Sequence, residues 1–184
     1  MKRAILSVVL PLAASAALLP ATTASTIGAE RDSAFFQSIE GDWTGPGEIV
    51  AGKYKGTKFV CNFAGTTPDR KLGMTLDGGC RVGVFTQKMS ATVTQSSKSG
   101  YKGTFMDGAV GSGLDIVSGK VQDGRKVVFN IHRNELRGIM QARLADENTM
   151  TVTVSVRVEK TMVPVIGVNL KRVDTTAVGS IAQK

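Results

Sequence analysis

Thr149-Met150-Thr151-Val152-Thr153-Val154-Ser155-Val156-Arg157-Val158-Glu159-Lys160 alternates apolar and polar residues from Met150 to Glu159. A period of two puts Met150, Val152, Val154, Val156 and Val158 on one face and Thr151, Thr153, Ser155, Arg157 and Glu159 on the other. That is the pattern of a strand with one buried face. A helix would scatter the same valines around its circumference, and their β-branching favours a pleated surface. The same alternation continues on either side. Upstream, Leu136, Gly138, Met140, Ala142 and Leu144 share a face within Glu135 to Leu144, and Ala145-Asp146-Glu147-Asn148 turns the chain. Downstream, Pro164 breaks the run, and Val165 to Val173 reads as the last strand.

Further upstream, Leu114 to Val121 and Lys126 to Arg133 are strands joined by the turn Gln122-Asp123-Gly124-Arg125. Tyr101 to Met106, Ser90 to Gln95 and Cys80 to Gln87 are further strands, and Asp77-Gly78-Gly79 is predicted as a hairpin turn after Leu72, Met74 and Leu76. Phe59, Cys61 and Phe63 share a face in Thr57 to Phe63. Before them, Gly28 to Ser38 reads as a loop leading into one or two helical turns, with Asp32 or Ser33 as the cap. About nine or ten short strands, tight turns and one apolar face per strand predict an all-β protein, a sandwich or a barrel. We take the antiparallel up-and-down β-barrel with a short N-terminal helix. A membrane-spanning barrel would want aromatic girdles, and the chain has one Trp and two Tyr.

The N-terminus sets the compartment. Met1-Lys2-Arg3, the apolar run Ala4 to Leu19 ending at Pro20, and the small residues Ala21 to Ser25 are the three parts of a secretory signal peptide. The chain then divides into a signal peptide over 1–24, a linker and short helix over 25–40, a barrel over 41–173 and a disordered tail over 174–184. The periplasm is the expected location. Losing Lys2 and Arg3 lowers the formal net charge from +8 to +6, and the remaining basic residues are scattered without interleaved aromatics. Nucleic acid is therefore not an expected partner, nor is stable membrane insertion. In an oxidising compartment the two cysteines, Cys61 and Cys80, are expected to form a disulfide closing a loop of about 20 residues, worth roughly 3 kcal/mol in the chain-entropy model.

The stretch Ile39-Glu40-Gly41-Asp42-Trp43-Thr44-Gly45-Pro46-Gly47-Glu48-Ile49 carries the indole, flanked by glycines. It reads as the plug of the barrel's closed end. In the last strand Ile166, Val168 and Leu170 share a face whose next residue is Arg172. A guanidinium on that face needs a partner, and an indole face with backbone carbonyls supplies one. Gly41-Asp42-Trp43 closed by Arg172 resembles the calycin superfamily of lipocalins and their relatives. The alternation Gly41, Trp43, Gly45, Gly47 resembles more particularly its nitrobindin-like families. The resemblance implies a barrel with one open mouth and an apolar interior, with Trp43 and Arg172 structural. It does not extend to haem, which in nitrobindins requires a histidine close to the C-terminus. The chain's one histidine, His132, lies mid-chain on the face shared with Asn130 and Asn134 and reads as solvent-facing. Small bacterial periplasmic metalloprotease inhibitors are a second resemblance, carried by the Gly-x-Trp and the cysteine pair.

No cofactor, metal site or catalytic residue is expected. Catalysis through a Ser/His/Asp or Cys/His set would have to use His132, without an elbow motif and with both cysteines bonded. Gly108, Gly111 and Gly113 match neither a dinucleotide fingerprint nor a P-loop. The leading expectation is a binding barrel for a small apolar molecule lined by Phe59, Phe63, Met140, Val152, Val154 and Val156. The alternative is a filled barrel that meets a protein partner through Asp107 to Gly113 or Lys53 to Thr57, as a protease inhibitor or a cell-envelope factor. Strand number bears on the choice: side chains just fill a barrel of about eight strands, and about ten leave room.

Overall fold

A computed structural model of the chain describes residues 24–96, 100–106, 108 and 113–173. The expected signal peptide lies outside the described residues except for Ala24, and the tail over 174–184 lies wholly outside them. One helix, α1 (Ala24–Gln37), precedes ten strands: β1 (Gly41–Ile49), β2 (Lys58–Thr66), β3 (Gly73–Val82), β4 (Phe85–Ser96), β5 (Gly100–Met106), β6 (Leu114–Gln122), β7 (Lys126–Arg133), β8 (Leu136–Asp146), β9 (Thr149–Val158) and β10 (Thr161–Arg172). Each strand pairs antiparallel with its sequence neighbours, and β1 pairs with β10 to close the barrel. Closure leaves no edge in need of cover.

The stretch that decides the fold behaves as its alternation requires. Met150 pairs with Leu144 on β8 and Leu170 on β10, and Val152 with Ala142 and Val168, so apolar side chains meet across three strands on the inner face. β7 matches its expected span residue for residue.

Four local expectations are corrected. Asp77-Gly78-Gly79 is not a turn: it runs through the middle of β3, with Gly78 paired to Phe63 and Met89 and Gly79 to Asn62 and Lys88. The hairpin bends at Gly83-Val84 instead, where Gly83 has a φ of 58°. The expected strands Cys80–Gln87 and Ser90–Gln95 accordingly divide differently: Cys80 ends up in β3, and Phe85–Ser96 is one continuous strand. Pro164 does not end a run but sits inside β10 at a register shift between Pro164 and Ile166. There β10 extends past the end of its β1 ladder, which stops at Ile166, so a missing N–H on that side costs little. Finally, α1 begins at Ala24 rather than with a turn or two before Ser38, so Asp32 and Ser33 are helical residues and not caps.

Helix α1 and Trp43 close one end. Phe35, Phe36, Ile39 and Trp43 are each 1% exposed. Phe36 meets Tyr101 edge-to-face at 4.8 Å, and the Tyr101 hydroxyl donates to Asp32 Oδ2 at 2.8 Å. These two contacts couple the helix to β5.

The described turns at that end join β2 to β3, β6 to β7 and β8 to β9, and β4 and β5 also meet there. The other end carries the connections β1–β2, β3–β4, β5–β6, β7–β8 and β9–β10. That end is open.

Candidate functional site

The closed end is built from one pair of residues at opposite ends of the barrel sequence. Trp43 on β1 and Arg172 on β10 are register partners, and the guanidinium carbon lies 4.3 Å from the indole ring centroid. The rest of the guanidinium is spent on carbonyls. Arg172 Nε donates to Glu147 O at 3.0 Å, Nη2 to Ser38 O at 2.8 Å, and Nη1 to Glu40 O. Trp43 Nε1 donates to Ile39 O at 2.9 Å. One cation therefore ties the helix exit, β1, the β8–β9 turn and β10 together, as a planar five-donor group can and an ammonium cannot. Gly41 explains the Gly-x-Trp spacing: its φ is +100°, and a Cβ there would stand 2.9 Å from Arg172 Nη1.

Between this plug and the open end lies a cavity of about 360 Å³. Its wall is drawn from the inward positions of all ten strands, and Gln87 is the one wall residue with a polar side chain apart from the cystine. Of the six residues expected to line it, Phe59, Phe63, Met140, Val152 and Val154 do so. Val156 shares the inward face but sits nearer the open end, opposite Gly138 and Val163, and is not in the wall. Ala142 contributes a small wall residue, while Gly138 lets β9 approach, since a Cβ there would stand 2.5 Å from Ser155 O.

Glycine shapes the wall at a second position. A Cβ on Gly47 would lie 2.2 Å from the Phe59 ring, so the bare backbone of β1 gives that ring the space it occupies. Cys61 and Cys80 are register partners on β2 and β3 and are joined in a disulfide that forms part of the wall. Sequence reading missed Gln87 because it divided β4. The signal was present in the alternation Phe85, Gln87, Met89, Ala91, Val93.

His132 pairs with Asp115 on the strand face opposite to Phe129 and Ile131. Among the described residues no group of three His, Cys, Asp or Glu side chains could hold a metal ion, and no helix is long and apolar enough to cross a membrane. Of the loop Asp107 to Gly113, only Gly108 and Gly113 fall within the described residues. Among the described residues the one strongly perturbed group is Tyr101: burial, followed by its hydrogen bond to Asp32, holds its hydroxyl well above the usual phenol range.

Such a chamber offers an entering molecule an apolar wall whose one side-chain amide, Gln87, is exposed and lies against Gly108. No protein-family model and no curated protein matches the chain.

Proposed function

We propose that this protein is an exported, periplasmic lipocalin-like barrel that binds a small hydrophobic molecule without acting on it, and that it is a distant member of the calycin superfamily. The observation that carries the reading is the wall: a cavity of about 360 Å³ in which Gln87 supplies the single polar side chain besides the cystine. Apolar chambers of this kind exclude water readily and take apolar guests. Burying on the order of 300 Å² of apolar ligand surface would gain about 7 kcal/mol before the entropy of association is subtracted. The wall holds no carboxylate, histidine or free thiol that would favour chemistry on the guest. The plug formed by Trp43 and Arg172, and the glycine spacing around it, support the calycin kinship.

The test is native mass spectrometry of protein recovered from a periplasmic extract, followed by solvent extraction of any adduct. A stoichiometric apolar adduct that is absent from Val154→Trp is expected. A clean apo mass that also stays unchanged with a panel of fatty acids and lipids would overturn the proposal, and a protein partner held by a surface loop would then be the reading to pursue.

A further inference from the structure

Nine large apolar side chains are exposed among the described residues, and all nine lie in the open half of the barrel. Val84 and Phe85 at the β3–β4 connection are 88% and 80% exposed, and Tyr54 in the β1–β2 loop is 63% exposed. Leu136 at the start of β8 and Val158 at the end of β9 continue the ring on two further connections. The closed end, by contrast, buries its aromatics. An apolar set confined to one end of a molecule marks a surface that meets something.

Charge says what. Among the described residues of this half, Lys53, Lys55, Lys58, Arg81, Lys88, Arg137, Arg157 and Lys160 are exposed, against the exposed acidic Asp115, Glu135 and Glu159. Lys53 Nζ lies 5.5 Å from the centre of the Tyr54 ring, so a cation and an amphipathic aromatic share one loop tip. Apolar tips interleaved with cations on separate loops suit a bilayer interface, where rings and aliphatic groups enter the headgroup boundary and lysines meet anionic lipid. The tips stand on separate connections around one end of the barrel, where a broad surface can meet several of them at once.

We infer that the open end of the barrel docks on anionic membrane surfaces, presenting the cavity mouth to the lipid. The docking uses surface residues alone and so stands apart from the question of whether the cavity is loaded.

Co-sedimentation with vesicles of roughly one-third phosphatidylglycerol in phosphatidylcholine, at about 50 mM NaCl, tests it. Wild type and variants are prepared with the same N-terminus, verified by mass, so that differences read the rim. Wild-type protein is expected to bind, to bind pure phosphatidylcholine more weakly, and to be released by salt. The double variant V84S/F85S and the charge reversal K53E/K55E are each expected to lower partitioning about tenfold or more, with Trp43 emission unchanged. Absence of wild-type binding to the anionic vesicles would overturn the inference, as would equal binding by V84S/F85S. So would a wild-type dimer that V84S/F85S converts to a monomer, which would make the rim a contact between two copies of this chain.

Discussion

At the scale of single residues, Arg172 holds the most connections. It stacks on Trp43 and donates to the carbonyls of Ser38, Glu40 and Glu147, so removing it orphans several acceptors at once. Arg172→Met is expected to cost about 2–4 kcal/mol, and Arg172→Lys nearly as much, because an ammonium cannot reproduce the fork. Equilibrium urea unfolding followed by Trp43 emission measures both. Gly41→Ala should destabilise through the same contact, and its effect should add to that of Arg172→Met less than fully, since the two share one site. The role of Arg172 is legible in sequence because a charge on an otherwise apolar strand face demands a partner, and the chain has a single indole to offer. Tyr101 was not legible in the same way, since its partner Asp32 reads as a cap until the helix is seen to run through it. The Tyr101 hydroxyl titrates above its unfolded value, so above about pH 10 the unfolded chain loses a proton that the folded chain keeps, and stability falls as pH rises. The contribution is intact below that pH. Tyr101→Phe is expected to flatten this alkaline decline in a series of unfolding curves while costing about 1–2 kcal/mol at neutral pH.

At the scale of elements, β7 and β9 were readable, as were β6 and β8 despite a glycine in each, whereas the paired glycines inside β3 were read as a turn. β7 and β9 carry a side chain at every position, so the period shows. In β3 the sequence Asp77-Gly78-Gly79 has turn chemistry, yet a Cβ on Gly78 would stand 2.0 Å from Asn62 O, which shows that the residue is small to let β2 approach. Local propensity and close packing ask for the same residue there, and sequence alone does not separate them. The misreading then hid Gln87 by placing it at a strand end. The β2–β3 pair is held additionally by the Cys61–Cys80 disulfide. Replacing both cysteines by serine is expected to lower stability by about 3 kcal/mol, read as a shift of the urea midpoint, with reductant producing a shift of similar size in the wild type. Gly47→Val on β1 tests how the wall is shaped: it should push the Phe59 ring inward and reduce binding of an apolar probe more than it reduces stability.

At the scale of the whole molecule, ten strands close a wall that side chains do not fill, with a plug at one end and an opening at the other. The fold class and five of the wall residues followed from periodicity, because period two assigns a face to each strand residue. The volume left inside did not, since it depends on strand tilt and on backbone spacing set by glycines. A closed end plugged by Trp43 was expected from sequence, but the gathering of the exposed apolar side chains at the other end was not, since it depends on which connections share an end. The central claim is that the chamber admits an apolar guest, and the most direct measurement is a titration of the protein with a neutral apolar fluorophore such as N-phenylnaphthylamine. The account predicts saturable binding at one probe per chain, abolished in Val154→Trp and preserved in V84S/F85S. Absence of saturable binding, or equal binding by Val154→Trp, would contradict it.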